Sequence, residues 1–293
     1  MTGTALNNTS LIFEGGGMRC AYTAGVVRVL VEAGIDFPWV AGISAGASLA
    51  CHYIARSPET ARRGFVDIAT DPQWGSWRTF ASGQGYFNGR YIYHEAPGPQ
   101  GQYPFPWEQF CANPADVRIA GFDVETGEQV WWSKADAPQL DDLMVRVHAS
   151  SAVPILMPPV QVDGRTYVDG ALGGAGGIAL DRARSEGFTR HVIVLSQPRS
   201  YRKPPQRALP YIRRRYRHWP AVGRALADRH ERYNAMRADV FAAEARGEAY
   251  VFAPRTMPIS QGERSVAKLE DAYTQGLAQA RTELPQIREF LGL

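Results

Sequence analysis

Trp39-Val40-Ala41-Gly42-Ile43-Ser44-Ala45-Gly46-Ala47 reads as a short buried strand running without a linker through a tight turn into a helix. The residues around the turn are Gly, Ala and Gly, small enough for two backbones to pass closely, and the small-residue run continues as a predicted helix to Ala55, ahead of Pro58. The same grammar occurs once upstream. Leu11-Ile12-Phe13 is an apolar run that ends at Gly15-Gly16-Gly17, after which Met18 to Ala33 reads as a helix with Val26, Val27, Leu30 and Val31 on its inner stripe and Gly34 as its C-cap. Strand, helix, strand, helix in that order predicts an α/β fold with a parallel sheet and right-handed crossovers.

Working outward, periodicity is lost between Asp71 and Pro114, where eleven aromatic residues fall between Trp74 and Phe110 among many Gly and Pro. Two readings stand for this stretch: an irregular lobe that buries its own rings, or a wall for an acyl chain. Regular structure resumes with Val117-Arg118-Ile119-Ala120 and Gln129-Val130-Trp131-Trp132, a hairpin around Glu125-Thr126-Gly127, and then with a helix from Asp141 to Ser150. Val160-Gln161-Val162 and Arg165-Thr166-Tyr167-Val168 enclose Asp163-Gly164, a two-residue hairpin signal whose second strand delivers Asp169-Gly170. His191 to Leu195 is another buried strand. Beyond it, Ala221–Arg246 and Arg264–Leu284 read as helices around a strand at Tyr250-Val251-Phe252.

Three places carry chemistry. Gly42-x-Ser44-x-Gly46 between strand and helix is the pattern of a nucleophile elbow, which lifts a serine hydroxyl above the sheet and sets the N–H of Ala45 at a helix N-terminus, where developing negative charge is favoured. Gly15-Gly16-Gly17-Met18-Arg19 is a loop whose N–H groups can face one anion, either as a phosphate cradle or as an oxyanion hole. The dinucleotide fingerprint is broken at its sixth position by Cys20, and no Gly-Lys-Ser/Thr follows. Arg19 orients the glycine loop or a substrate phosphate, or is simply exposed. Asp169 ends a strand before a glycine; alone it is a turn former, but a carboxylate bonded to Ser44 can serve as its base without a histidine.

These elements, in this order, resemble the patatin-like phospholipase family over roughly residues 10 to 200. The matching stretches are Leu11-Ile12-Phe13-Glu14-Gly15-Gly16-Gly17-Met18-Arg19, Gly42-Ile43-Ser44-Ala45-Gly46 and Tyr167-Val168-Asp169-Gly170-Ala171, with Ala149-Ser150-Ser151-Ala152-Val153-Pro154 similar to a further block of that family. The resemblance implies a three-layer α/β fold with a mostly parallel central sheet, a catalytic dyad of Ser44 and Asp169, and an oxyanion hole in the Gly15–Arg19 loop. It implies metal-free, cofactor-free hydrolysis of phospholipid and other acyl-lipid esters. Residues 8–200 are then the acyl hydrolase domain and 201–293 a mainly helical extension packing on it. Arg229-His230-Glu231-Arg232-Tyr233-Asn234 is similar to the extension of a bacterial subgroup.

Two rivals remain open. A Ser-His-Asp triad would draw its base from His191, His218 or His230, which follow Asp169; His52, His94 and His148 precede it without metal-ligand spacing. A lipid- or phosphate-binding protein without turnover would use the same glycine loop. Cys20, Cys51 and Cys111 are too few and too scattered for a disulfide framework or a metal site, which favours a reducing compartment. Cys20 and Cys51 read as core fillers. The polar start, Met1 to Ser10, lacks the basic residue and apolar run of a secretory leader, and no stretch is long and apolar enough to span a bilayer, so a cytoplasmic protein is expected.

Net charge is +3, but Arg199 to Arg217 holds eight Arg or Lys and no acid, which leaves the remainder acidic. This is a solvated basic face or a site for anionic headgroups at a membrane surface. No nucleic-acid motif accompanies it.

Overall fold

A computed structural model describes residues 6–207 and 209–293, except for the side chain of Arg213. Half of the polar start, and Ala208 within the basic segment, thus lie outside the described residues.

The apolar runs become β1 (Thr9–Phe13), β2 (Trp39–Gly42), β3 (Asp116–Asp123), β4 (Gln129–Trp132), β5 (Val160–Val162), β6 (Arg165–Asp169), β7 (Arg190–Val194) and β8 (Ala249–Phe252). They form one eight-stranded sheet in the order β5-β6-β3-β2-β1-β7-β8, with β4 paired to β3. From β3 through β8 along that path every pairing is parallel, whereas β4, β5 and β6 join antiparallel at the other edge. The Asp163-Gly164 turn joining β5 to β6 has φ of 50° and 78°, as a two-residue hairpin turn with both central residues left-handed requires.

Strand alternation divides the core. Leu11 and Phe13 of β1 join Val40, Ile119 and Val194 in one hydrophobic cluster, while Ile12 between them joins Ala41, Ile193 and Leu195 in another. A strand buried on both faces needs helices on both sides of its sheet, which is the three-layer arrangement. The Cys20–Glu32, Ala45–Ile54 and Val266–Leu291 helices contribute to the first cluster; the Leu180–Ser185 and Pro220–Ala245 helices contribute to the second.

Two elements differ from the sequence reading. The aromatic stretch carries short helices at Trp77–Ala81 and Trp107–Ala112 and a π turn at Tyr91–Glu95. The last helix runs on past Leu284 and through Pro285 to Leu291, because Ile287 and Leu291 beyond the proline are buried in the core. That tertiary gain outweighs the one backbone bond that proline removes.

The C-terminal segment supplies the last strand of the sheet, at the edge beyond β7. β8 pairs with β7 along Val192↔Tyr250 and Val194↔Phe252, and the last helix crosses the Cys20–Glu32 helix at two glycines. A side chain on Gly25 would meet the Gly276 carbonyl carbon at 2.8 Å, and one on Gly276 would meet that of Tyr22 at 2.7 Å. The helix that opens at the glycine loop is therefore clamped from behind by chain beyond residue 265. Among the described residues no helix is long and apolar enough to cross a membrane.

Gly276→Val should force these two helices apart. We expect a loss of about 1–3 kcal/mol, the usual range for overpacking, read as a fall in denaturant midpoint with an unchanged slope. An unchanged midpoint would show that the crossing is not close-packed in solution.

Candidate active site

β2 and β6 lie on either side of β3, and register puts their ends at one level. Gly42 pairs with Ile119 and Asp169 with Gly121, so Ser44, two residues past Gly42, stands opposite Asp169 across a single strand. The side chains close the gap: Ser44 Oγ donates to Asp169 Oδ2 at 2.8 Å, between residues 125 positions apart. Both are buried.

The elbow is strained. Ser44 has φ 58° and ψ −134°, a region non-glycine residues rarely adopt and one that persists only where the surroundings hold it. Here they do. The Ser44 N–H donates to Ser150 Oγ at 2.9 Å, Gly46 N–H returns to Ile43 O at 3.0 Å, and Ala47 N–H to Ser44 O at 2.8 Å. Gly42 and Gly46 let the turn close, since a Cβ on Gly42 would collide with the Gly46 carbonyl. The Ala149–Pro154 block thus has a visible task at both ends of the site: Ser150 fixes the elbow, and Ala152 O accepts from Asp169 N–H at 3.0 Å.

Asp169 is oriented on its other oxygen by the Ala171 N–H at 2.8 Å, and the turn behind it is tied down by Gln129, whose amide donates to Gly170 O at 3.0 Å. Burial raises the Asp169 pKa above its ordinary value; the nearby Arg229 guanidinium, the Ala171 and Ser44 hydrogen bonds and the Lys203 ammonium oppose that rise. The result is a carboxylate that is a stronger base than an exposed one.

The glycine loop lines the same chamber as Ser44 and Asp169. Of the six expected oxyanion donors, two are already engaged: Met18 N–H donates to Gln261 O at 3.0 Å, and Arg19 N–H to Gly16 O at 3.3 Å. Through these bonds Met18 and Arg19 brace the loop, and their N–H groups are occupied in this structure. The N–H groups of Gly15, Gly16, Gly17 and Ala45 have no partner among the described residues. The loop is held from beneath by Glu14, which is buried and accepts from Ser196 N–H at 2.6 Å and from the Tyr233 hydroxyl at 2.5 Å. Ser196 Oγ in turn donates to Gly15 O at 2.7 Å.

On the other side of Ser44 the chamber is apolar, lined by Met18, Phe65, Trp74, Phe105, Met144 and Met157 among others. The aromatic lobe packs its own rings, with Trp74 and Phe87 centroids 5.2 Å apart, and also lines this cavity.

No histidine lines the part of the chamber that holds Asp169. His191 sits on β7 opposite Ser10, at the end of the strand away from the glycine loop, and bonds the Ser10 hydroxyl at 2.8 Å. His218 is exposed, His230 bonds its own helix at Ala227 O, and His94 and His148 bond each other at 3.0 Å. His52 lines the apolar cavity, where burial lowers its pKa to about 4 and leaves it neutral. Burial likewise pushes the thiols of Cys20 and Cys51 up to about 12, which makes them inert fillers. Among the described residues no three His, Cys, Asp or Glu side chains cluster as a metal site would require.

Sequence reasoning missed Ser150, Glu14, Gln261, Lys203, Arg229 and Tyr233. The first two sit inside quoted motifs. Arg229 and Tyr233 fall in the quoted Arg229–Asn234 stretch and Lys203 in the basic segment, without a role that either pattern assigns, and Gln261 lies in no singled-out stretch.

Comparison with protein families matches the patatin-like phospholipase model to residues 11–179, and a domain of unknown function, DUF6363, to residues 219–292. A comparison with curated proteins finds no match. Among solved structures, VipD from Legionella pneumophila is similar at 12% identity with a TM-score of 0.46, covering 94% of this chain and 67% of that one, a likeness too distant to bear on function.

Two outcomes follow from this geometry. If Asp169 is the base, ester hydrolysis should fall on the acid side with an apparent pKa above 3.8, the ordinary aspartate value, because burial raises its pKa. That limb should persist when His191, His218 and His230 are replaced singly by Ala; loss of several orders of magnitude at one of them would transfer the role of base to a histidine. Ser150→Ala should leave the buried Ser44 N–H without a partner, costing about 1–3 kcal/mol of stability and lowering kcat more than KM. A variant with wild-type stability and kcat would show that the elbow stands without this bond.

Proposed function

The chain belongs to the patatin-like phospholipase family, and from that premise we propose that it is a serine lipid acyl hydrolase, an esterase of the phospholipase A type, working through a Ser44–Asp169 dyad. The observation that carries this reading is the 2.8 Å hydrogen bond from Ser44 Oγ to Asp169 Oδ2, made beside four unpartnered backbone N–H groups.

Ser44 Oγ attacks the ester carbonyl carbon while its proton passes to Asp169 Oδ2. The carbonyl oxygen becomes an oxyanion and accepts from the glycine-loop and Ala45 N–H groups; one such donor commonly contributes about 100- to 1000-fold in rate. Collapse breaks the bond to the alcohol, which leaves with the proton from Asp169, and an acyl-Ser44 ester remains. Asp169 then takes a proton from water, the hydroxide attacks the acyl carbon, and the fatty acid departs as Ser44 regains its proton. The apolar cavity beside Ser44 suits the acyl chain.

The division into an acyl hydrolase unit, 8–200, and an extension, 201–293, is supported by family matches that fall on either side of residue 200. The extension also completes the site through Gln261 and Tyr233. Contact of the Arg199–Arg217 segment with anionic membrane belongs to the same proposal: Arg202, Arg207, Arg214, Arg215 and Arg217 are exposed, whereas Arg199 is paired with Glu244 at 2.6 Å. Replacing Arg214 and Arg215 by Glu should weaken binding to anionic vesicles severalfold and spare hydrolysis of a soluble ester. Unchanged vesicle affinity would remove this segment from membrane contact.

Ser44→Ala should abolish both labelling by a fluorophosphonate and hydrolysis of a short p-nitrophenyl ester, a loss of at least about 10,000-fold. Labelling retained in the variant would place the nucleophile elsewhere. A wild-type protein that takes up lipid but releases no acyl product from any ester would favour the binding-protein reading.

A further inference from the structure

The chamber that holds Ser44 and Asp169 is lined by three cations, Arg19 from the glycine loop and Lys203 and Arg229 from the C-terminal segment. Several arginines away from the chamber have acid partners: Arg118 with Asp116 and Glu186, and Arg62 with Glu59, Asp67 and Glu270. Arg19, Lys203 and Arg229 form no ion pair within 4.0 Å among the described residues. The Nε atoms of Arg19 and Arg229 are shut off from solvent and bond to nothing described.

The two acids in the chamber, Glu14 and Asp169, offset the three cations only in part and pair with none of them within 4.0 Å among the described residues. Both Glu14 oxygens are engaged, one by Ser196 N–H and one by the Tyr233 hydroxyl, and Asp169 has its oxygens on Ser44 and Ala171. Lys203 is held in position by paired hydrogen bonds to Asn234 at 2.9 and 3.0 Å, with its ammonium 4.6 Å from the centre of the Tyr233 ring. Burial is the main cause that pushes its pKa down to about 8; the neighbouring Arg229 and Arg19 charges add to the fall, and Glu14 and Asp169 oppose it. Crowding of this kind costs stability and is relieved when a di- or trioxyanion enters and accepts from all three.

The geometry points to Arg19, Lys203 and Arg229 as a phosphate-binding subsite on the alcohol side of the scissile ester, selecting substrates whose alcohol carries a net negative phosphoester. This rests on Ser44 being the nucleophile. The apolar cavity and the cationic chamber meet at Ser44, Gly17, Phe87, Val153 and Gln261, so an ester placed at Ser44 sends its acyl chain one way and its alcohol the other. Three fixed positive charges also disfavour a phosphate that brings its own ammonium, so an anionic headgroup is preferred over a zwitterionic one.

The test uses the full chain with three soluble substrates below their micelle concentrations: dihexanoyl phosphatidylglycerol, dihexanoyl phosphatidylcholine and p-nitrophenyl butyrate. Wild type should prefer the glycerol headgroup to choline by about tenfold or more, and Lys203→Met and Arg229→Gln should each lower the ratio of kcat/KM for phosphatidylglycerol to that for the neutral ester about tenfold. Equal losses on the anionic and neutral esters, with the acid limb displaced upward, would overturn the subsite and leave these cations acting only through Asp169. Inorganic phosphate binding to Ser44→Ala, followed by calorimetry, separates the two ideas because it needs no turnover. Binding that is lost in the Lys203→Met, Ser44→Ala double variant upholds the subsite even if no ester is hydrolysed. Esters hydrolysed with no headgroup preference and no phosphate binding would remove the subsite and leave the nucleophile standing. Free phosphate bound at micromolar concentration, with no preference between the two lipids, would overturn the headgroup assignment in favour of a soluble phosphate ligand.

Discussion

One constraint organises this molecule: a serine held in a left-handed turn at the end of β2 must meet a carboxylate at the end of β6, with β3 between them. Neighbouring strands lie about 4.8 Å apart, so the two chain ends stand roughly 10 Å from each other at the sheet and only their outward reach closes the distance. The contact therefore depends on register. A slip of one residue in either pairing would turn a side chain to the opposite face and separate the oxygens. The alternating burial of β1, the small residues of the elbow and the Gln129 brace behind the Asp-Gly turn all hold that register.

Strain at Ser44 is the counterpart of that constraint. A left-handed serine is costly, and the structure answers with Ser150 beneath the elbow and glycines on either side of it. Opposite it, four N–H groups are left without partners and a carboxylate is buried with its pKa raised. A desolvated base destabilises a resting fold, and N–H groups without a protein partner are free to receive an acceptor. Their convergence in one chamber is intelligible when an oxyanion and a proton are to be received there.

Much of this was legible in the sequence because its signals are local. A strand that ends in glycine and opens a helix shows itself within a dozen residues, so both loops, the elbow and the hairpin that delivers Asp169 could be placed before any coordinates. The direction of the β5–β6 hairpin and the reach of the last helix were less visible. Pro285 marks a stop locally, and only the burial of Ile287 and Leu291 against distant chain overrides it. The parts that escaped entirely are those made by convergence. Gln261 props the glycine loop with a backbone carbonyl that no sequence pattern encodes, and Tyr233 reaches Glu14 across 219 positions. The basic segment illustrates the same limit. As composition it is a single feature, yet Arg199 is tied to Glu244, Lys203 turns into the chamber, and Arg214 and Arg215 face solvent.

The central claim is that the Ser44 hydroxyl and the glycine-loop amides act on the same reacting group. A crystal structure of the protein inactivated by an alkyl fluorophosphonate tests it directly. The account predicts a covalent bond from phosphorus to Ser44 Oγ, the alkyl chain in the apolar cavity, and the phosphoryl oxygen about 2.7–3.1 Å from N–H groups of the glycine loop and Ala45. Phosphorus on any other residue, or a phosphoryl oxygen turned away from those amides into solvent, would contradict it.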